Sequence, residues 1–328
     1  MDKRALPLVS ILIPTYNQPQ FIEAAINSAL EQDYQNLEII VSDDCSDAKL
    51  TTIINQYIVN PKVKYFRNNK NIGRVANYKK CLYDYASGDW ALCLDGDDYL
   101  TDINYVSYCI DIIKKYEGGA INIVFIQAGD QLIDELKNIN RIRLPKIKDP
   151  LACLNGKDYV LNFHVYNHFS HLATLYDRKK AIASGFYMYD ILSTDIESLL
   201  KLSLEGEIIL LRKVVGVWRH HGSNVSASNN INLFIDNLNW IDRCAKYAQK
   251  KYPELRREFE KWSKKTFANS IISIVDIIRQ LPYKGKFPFK KNKKLLKHLL
   301  LKRPSIFFNP RFLAHLFIKW GEVKKTKI

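Results

Sequence analysis

A strand, a helix and a second strand are predicted by residues 8–44, LVSILIPTYNQPQFIEAAINSALEQDYQNLEIIVSDD. The β-branched runs near its two ends are typical of buried strands, and the segment between them has the apolar spacing of an amphipathic helix. We expect the buried face of that helix to consist of Ile22, Ala25, Ile26 and Ala29. The stretch therefore predicts a β–α–β unit.

The same alternation continues along the chain. Further strands are predicted at VKYFRN (63–68), WALCLD (90–95) and INIVFIQ (121–127), and further helices over residues 73–86 and 105–116. Strands that alternate with amphipathic helices indicate an α/β fold with a Rossmann-like, mainly parallel sheet flanked by helices. The composition turns helical and aromatic near residue 228, which suggests one domain over 1–228 and a helical region over 229–328.

The positive charge of the chain is concentrated at its C-terminal end. The net charge is +15, and residues 281–328 contain 14 Lys and Arg against one acidic residue, Glu322. Leucine and aromatic residues are interspersed with these lysines, a pattern typical of an amphipathic element on an anionic membrane surface. The alternative is a helical appendage that packs on the body of the protein or on a second copy, as in a homodimer.

The cysteines and the N-terminus indicate the compartment. The six cysteines are scattered without CxxC spacing, so we expect no disulfide framework or zinc site, and a reducing environment. The first ten residues lack the apolar segment of a signal peptide, and no apolar run has the roughly 20 residues that span a bilayer. We expect a cytoplasmic protein, associated peripherally with the inner face of the cell membrane.

Three carboxylates follow the strand at ALCLDGDDYL, residues 91–100. Carboxylates this close repel one another unless a cation shares the site, and paired aspartates suit a hard divalent cation that also binds a diphosphate. The alternative is a solvated turn with capping aspartates. Polar residues also follow the first two strands, and ligands of parallel sheets bind beyond the carboxyl ends of the strands. These loops therefore predict one binding crevice.

Four segments in this order resemble the family 2 glycosyltransferases, inverting enzymes with the GT-A fold. They are VSILIPTYN, SALEQDYQNLEIIVSDDCSD, NIGRVANYKKCL and GDWALCLDGDDYL. The similarity covers about residues 8–228 and implies transfer of a sugar from a nucleotide-sugar to a hydroxyl of a glycan. A UDP-sugar donor, a lipid-linked oligosaccharide acceptor and a role in surface polysaccharide synthesis are the expectations that follow.

The resemblance also implies which residues bind the nucleotide. The pocket would be lined by Pro14, Thr15 and Tyr16, with the Tyr16 ring against the base. Asp44 would accept a hydrogen bond from the base imide, which favours uracil. Arg74 would contact the base or a phosphate.

Metal and phosphate ligands are implied in the same way. Asp95 would lie near the ribose and the metal, Asp97 would be the principal ligand of Mn2+ or Mg2+, and Asp98 would shape the turn. WRHHGSNVS (218–226) resembles the closing motif of the family, so Arg219 or Ser226 would contact phosphate and His221 would be a further metal ligand.

The expected general base is Asp195, in LSTDIESLLKL (192–202). The N-terminus of a helix favours the ionised carboxylate that a base requires. The alternative is a helix N-cap supplied by Thr194 or Asp195. Thr194 also departs from the family, which usually has glutamate there, so support from a second carboxylate is absent.

Two other classes of protein remain as alternatives. One is a catalytically inactive scaffold that binds sugar nucleotides, and the other is a basic nucleic-acid-binding protein. A nucleic-acid-binding protein leaves the aspartate cluster unexplained, and the continuous leucine face of the tail argues against it. We therefore expect an enzyme that does not bind nucleic acid.

Overall fold

The computed structural model of the chain describes residues 6–166, 169–222, 224 and 231–280. The chain divides into two compact units, Met1–Ala227 and Ser228–Ile328. The basic tail predicted to bind membranes, residues 281–328, lies outside the described residues, as does Ser226.

The described part of the first unit contains ten strands. They are β1 (Val9–Thr15), β2 (Leu37–Asp43), β3 (Val63–Arg67), β4 (Trp90–Cys93), β5 (Tyr99–Leu100), β6 (Ile123–Asp134), β7 (Ile139–Arg143), β8 (Leu151–Asn155), β9 (Thr174–Asp177) and β10 (Glu207–His220). Its helices are α1 (Ile22–Leu30), α2 (Ala48–Ile54), α3 (Arg74–Lys80), α4 (Tyr105–Tyr116), α5 (Gly156–Leu161), α6 (Phe163–Tyr166), α7 (Arg178–Ser184) and α8 (Thr194–Ser203). A π-helical turn, Cys81–Tyr85, continues α3.

All ten strands form one sheet whose two halves differ in direction. β1 pairs in parallel with β2 and β4, and β3 pairs in parallel with β2. β9 lies antiparallel between β4 and β6, whereas β10 is parallel to β6 and antiparallel to β5 and β8. The α/β fold with flanking helices is confirmed, and the parallel arrangement is concentrated in β1–β4. β7 pairs antiparallel with β6. Only residues 135–138 separate these two strands, and a connection this short cannot form the crossover that a parallel pair requires.

Helices cover both faces of the parallel half. Val9, Ile11 and Ile13 occupy every second position of β1, so their side chains point to the same face of the sheet. There they join a core formed with α1, α2 and α4. All four residues predicted for the buried face of α1 are inaccessible to solvent. α3 covers the opposite face, where Ser42 of β2 donates a hydrogen bond to Asn77 at 2.7 Å.

The second unit is helical in its described part. It contains α9 (Ile231–Asn237), α10 (Asn239–Lys251), a 3-10 turn (Pro253–Leu255) and α11 (Arg256–Gln280). α10 packs against α11 through Trp240 and Trp262, whose ring centroids are 6.2 Å apart in an edge-to-face arrangement. In the described part of the chain, no helix combines the length and the hydrophobicity needed to cross a membrane.

A buried carboxylate, Glu38 of β2, joins three neighbouring segments. It accepts hydrogen bonds from Ser10 Oγ at 2.6 Å, from Ser87 N at 2.7 Å and from Lys64 Nζ at 2.7 Å. Burial by itself would raise the pKa of Glu38, but the hydrogen bonds from Lys64, Ser10 and Ser87 hold it below its usual value of 4.5. The ionised form therefore contributes stability above pH 4.5, and this stability is lost as the pH falls through the lowered pKa of the folded state.

Glu38→Gln should lower the free energy of unfolding by about 2 kcal/mol at neutral pH, since it weakens charge-assisted hydrogen bonds. The difference from wild type should shrink as the pH falls below 4.5, the usual pKa of Glu38. Urea unfolding, followed by circular dichroism at pH values from about 3 to 7, measures both effects, because carboxylates titrate in the lower part of this range. Glu31→Gln, at an exposed glutamate, is the control. If the difference in the free energy of unfolding between wild type and Glu38→Gln stays constant across this pH range, the lowered pKa of Glu38 is contradicted.

Candidate functional site

The carboxylates of Asp95, Asp97 and Asp98 lie in one group just beyond β4. One oxygen from each lies within 4.8 Å of the others. Gly96 brings this loop against the end of β1, because a Cβ at position 96 would lie only 2.7 Å from Thr15 Oγ1. The predicted metal ligands and the predicted nucleotide pocket are therefore neighbours.

Each carboxylate in the group accepts a hydrogen bond from a different part of the chain. The hydroxyl of Tyr78 donates to Asp95 Oδ1 at 2.6 Å. Asp97 Oδ2 accepts from Asn224 Nδ2 at 3.0 Å and lies 2.9 Å from His221 Nε2. The remaining carboxylate, of Asp98, accepts from the backbone N–H of Arg219 at 2.9 Å. These contacts hold the three carboxylates together.

The electrostatics of the group favour a bound cation. Burial and the negative charge of Asp95 raise the pKa of Asp97, while the hydrogen bond from His221 lowers it in part. Burial and the charges of Asp97 and Asp95 raise the pKa of Asp98 well above its usual range. A divalent cation would relieve this repulsion, and carboxylate oxygens with an imidazole are ordinary ligands of Mn2+. The residues present therefore fit Mn2+ or Mg2+.

The end of β10 packs onto this group. The guanidinium carbon of Arg219 lies 4.5 Å from the centre of the Tyr99 ring and 5.2 Å from that of Phe21. The ring of His221 lies 4.7 Å from the same Phe21 ring. These aromatic contacts keep a cation and an imidazole beside the carboxylates.

The residues predicted to line the nucleotide pocket follow β1 and β2. Pro14 and Thr15 are buried, whereas the Tyr16 side chain is 48% exposed and offers a ring face. The backbone N–H of Asp44 donates to the carbonyl of Thr15 at 2.9 Å. Its carboxylate accepts from the N–H groups of Ile72 and Gly73 at 2.8 and 2.9 Å, so Asp44 also holds the loop that begins α3.

Arg74, the first residue of α3, connects two parts of the site. Its Nη2 atom donates to the carbonyls of Ile191 and Leu192 at 2.8 and 3.3 Å. Burial by itself would lower the pKa of Arg74, but Tyr78 and the negative charge of Asp195 raise it above its usual value. Arg74 therefore holds the segment that leads into α8, and it carries positive charge near the expected base.

Asp195 lies in the first turn of α8 and is partly buried. The N-cap position is Ser193, and no side chain caps this helix. Neither Thr194 nor Asp195 therefore occupies the N-cap, and the carboxylate of Asp195 interacts electrostatically with Arg74.

Sequence reasoning assigned no contact with the carboxylates to Tyr78, Asn224 or His171, although it considered His171 as a residue facing the acceptor. Arg74 and Tyr78 are four residues apart, which places both on one side of α3. This spacing could have predicted that the Tyr78 hydroxyl contacts the same site as Arg74. Nothing in the sequence singles out Asn224 or places His171 beside Asp95. Both contacts depend on how distant segments pack.

Comparison with known proteins agrees with the geometry. The sequence model described as glycosyl transferase family 2 matches residues 10–171. A glucosyltransferase of Campylobacter jejuni, named GalNAc(5)-diNAcBac-PP-undecaprenol beta-1,3-glucosyltransferase, is 40% identical over 97 residues, which are 29% of this chain and 31% of the relative. The matches span 24 to 39% of the length of the first three curated relatives.

Solved structures share the fold at low sequence identity. Residues 1–349 of TarS from S. aureus in complex with UDP-GlcNAc superpose with a TM-score of 0.56 at 16% identity, covering 82% of this chain and 81% of that one. The mannosyltransferase PcManGT from Pyrobaculum calidifontis, in complex with GDP-Man and Mn2+, gives a TM-score of 0.53 at 14% identity over 96% and 86% of the two chains. The solved structures show the fold alone, and the family match identifies residues 10–171 as a glycosyl transferase family 2 domain.

Proposed function

We propose that the chain is a metal-dependent, inverting glycosyltransferase that moves a hexose from a UDP-sugar to a hydroxyl of a glycan acceptor. The observation that carries the proposal is the group formed by Asp95, Asp97 and Asp98 beyond β4, with Arg219 and His221 packed against it. The nucleotide-sugar in the TarS complex supports a donor of this class.

The donor nucleotide would bind at the ends of β1 and β2. The half-exposed ring of Tyr16 is available to stack on the base, and Pro14 and Thr15 form the floor beside it. Asp44 lies next to Thr15, and its carboxylate accepts hydrogen bonds from Asn68, Ile72 and Gly73, so one acceptor position on Oδ2 would serve the imide of uracil.

The diphosphate of the donor would bind between the carboxylates and the end of β10. Mn2+ or Mg2+ held by Asp97 and Asp95, with His221 as a further ligand, would supply positive charge to the diphosphate. The Arg219 guanidinium, held by the Tyr99 and Phe21 rings, would stabilise the charge that the leaving UDP acquires. A charge fixed in advance is an effective way to stabilise such a transition state.

Asp195 would remove the proton from the acceptor hydroxyl as its oxygen attacks the anomeric carbon. The hydroxyl attacks from the face opposite the diphosphate, so the product has the inverted anomeric configuration and no covalent intermediate forms. Arg74 orients the segment before α8 by its bonds to two carbonyls, and in this way positions the base.

The acceptor would be a lipid-linked oligosaccharide at the cytoplasmic face of the membrane. The name of the Campylobacter relative includes an undecaprenol-linked glycan, which supports an acceptor of this class. Residues 281–328, with a charge of +13, would attach the protein to anionic lipids.

Asp97→Asn should abolish the metal dependence of UDP binding, because it removes the charge of the principal ligand. Titration calorimetry of UDP with Mn2+ and with EDTA measures this for wild type and variant. We expect at least a tenfold loss of affinity with Mn2+, about the size that follows from weakening a metal site. Asp111→Asn, at an exposed aspartate of α4, is the control and should bind as wild type. UDP binding by wild type that is unaffected by EDTA would contradict the metal-dependent donor site.

Asp195→Asn should lower kcat by about 10² to 10⁴ and leave UDP affinity nearly unchanged, because it removes a general base and no donor contact. Transfer from radiolabelled UDP-hexoses to undecaprenyl-diphosphate-linked glycans measures kcat, and NMR of the product gives its anomeric configuration. Asp190→Asn, at a nearby exposed aspartate, is the control. Wild-type turnover by Asp195→Asn, or retention of configuration by wild type, would contradict this mechanism.

A further inference from the structure

The antiparallel pairing of β9 with β4 brings a histidine to the carboxylate group. Leu92 of β4 lies opposite Leu175 of β9, so the residues before β9 run beside the residues after β4. His171, three residues before β9, therefore lies next to Asp95. Cys93 and Asp95 are two positions apart, and in an extended chain the side chains of such residues point to the same face of the sheet.

Three donor atoms of different chemistry meet there. The sulfur of Cys93, a carboxylate oxygen of Asp95 and an imidazole nitrogen of His171 all lie within 4.8 Å of one another. Cys93 is 1% exposed, whereas Asp95 and His171 are partly buried, so the cluster is accessible from the side of these two residues. The group of Asp95, Asp97 and Asp98 offers oxygen, with the imidazole nitrogen of His221 beside it, but the Cys93 cluster adds sulfur.

Two tyrosine hydroxyls orient two of the three donors. The Tyr187 hydroxyl lies 2.7 Å from His171 Nε2. The Tyr78 hydroxyl holds Asp95, and the rings of Tyr78 and Tyr187 pack edge to face with centroids 5.3 Å apart. Ligands of metal sites are held by outer hydrogen bonds of this kind.

We propose that Cys93, Asp95 and His171 form a second cation site, selective for a thiolate-binding ion of the Zn2+ class. A thiolate ligand favours Zn2+ over Mn2+ or Mg2+, and three protein ligands leave a fourth position for water. The thiol of Cys93 loses its proton to solvent when the ion binds, and no oxidation or reduction occurs.

The site shares Asp95 with the group proposed to hold Mn2+ or Mg2+, so Zn2+ acts as an inhibitor. Binding of Zn2+ to Asp95 draws this carboxylate away from Asp97, and the affinity for the UDP diphosphate falls. This inhibitory role rests on the proposed function, whereas the binding of Zn2+ to the cluster is independent of it.

Cobalt absorption tests the site directly. Co2+ replaces Zn2+ at such sites, and a thiolate ligand produces a near-ultraviolet charge-transfer band that oxygen ligands do not. Titration of the metal-free full chain with Co2+ should produce this band with one ion per chain, and Zn2+ should remove it. Cys93→Ser should abolish the band, and His171→Gln should weaken Co2+ binding at least tenfold.

Two cysteine variants serve as matched controls. Cys153→Ser removes an exposed thiol and Cys109→Ser removes a fully buried one, and both should keep the band. Absence of the band in wild type, or its persistence in folded Cys93→Ser, overturns the site. If Cys93→Ser does not fold, His171→Gln decides, and unchanged Co2+ affinity in that variant overturns the site.

Calorimetry of UDP with Mn2+ then tests the inhibitory role. Added Zn2+ should weaken UDP binding to wild type at least tenfold and leave Cys93→Ser unaffected. Equal UDP affinity with and without Zn2+ overturns inhibition even if the cobalt band is present. If UDP does not bind with Mn2+ alone, the inhibitory role fails together with the proposed donor site, and the cobalt band still decides whether the cluster binds metal.

Discussion

The parallel pairing of β1 with β2 on one side and β4 on the other is the constraint on which the site depends. Thr15 lies opposite Asp43, and Leu12 lies opposite Cys93, so the three strands end at one edge of the sheet. The loops that follow are in contact there, through the Asp44 N–H on Thr15 and the close approach of Gly96. Strand register thus assembles the site from segments that are far apart in the sequence.

The carboxylates beyond β4 carry an electrostatic cost that the surrounding residues offset in part. Mutual repulsion and burial disfavour three ionised groups in this space. The Tyr78 hydroxyl, the Asn224 amide and the Arg219 backbone each donate to one carboxylate. These donors come from α3, from β10 and from the segment after β10, so the group also links distant parts of the fold. The remaining excess of negative charge favours a cation.

α3 connects three parts of the site along one short helix. Just before α3 begins, the N–H of Gly73 donates a hydrogen bond to Asp44. Within α3, Arg74 donates to the carbonyls of Ile191 and Leu192, and the Tyr78 hydroxyl donates to Asp95. Arg74 and Tyr78 are four residues apart and share one side of the helix, where the guanidinium lies 5.3 Å from the ring centre. Movement of α3 would displace the loop that ends at Gly73, the carboxylate of Asp95 and the segment that leads into α8 together.

The sequence by itself determined the β–α alternation, the polar strand ends and the carboxylates of Asp95 and Asp97, because periodicity and strand-end chemistry are local properties. It also led to an expectation of no zinc site, since the cysteines lack close spacing. Only the tertiary structure decided that Asn224 reaches Asp97 and that His171 lies beside Cys93. These contacts depend on the β9–β4 pairing and on the course of the chain after β10. Long-range pairing of this kind leaves no periodic trace in the sequence.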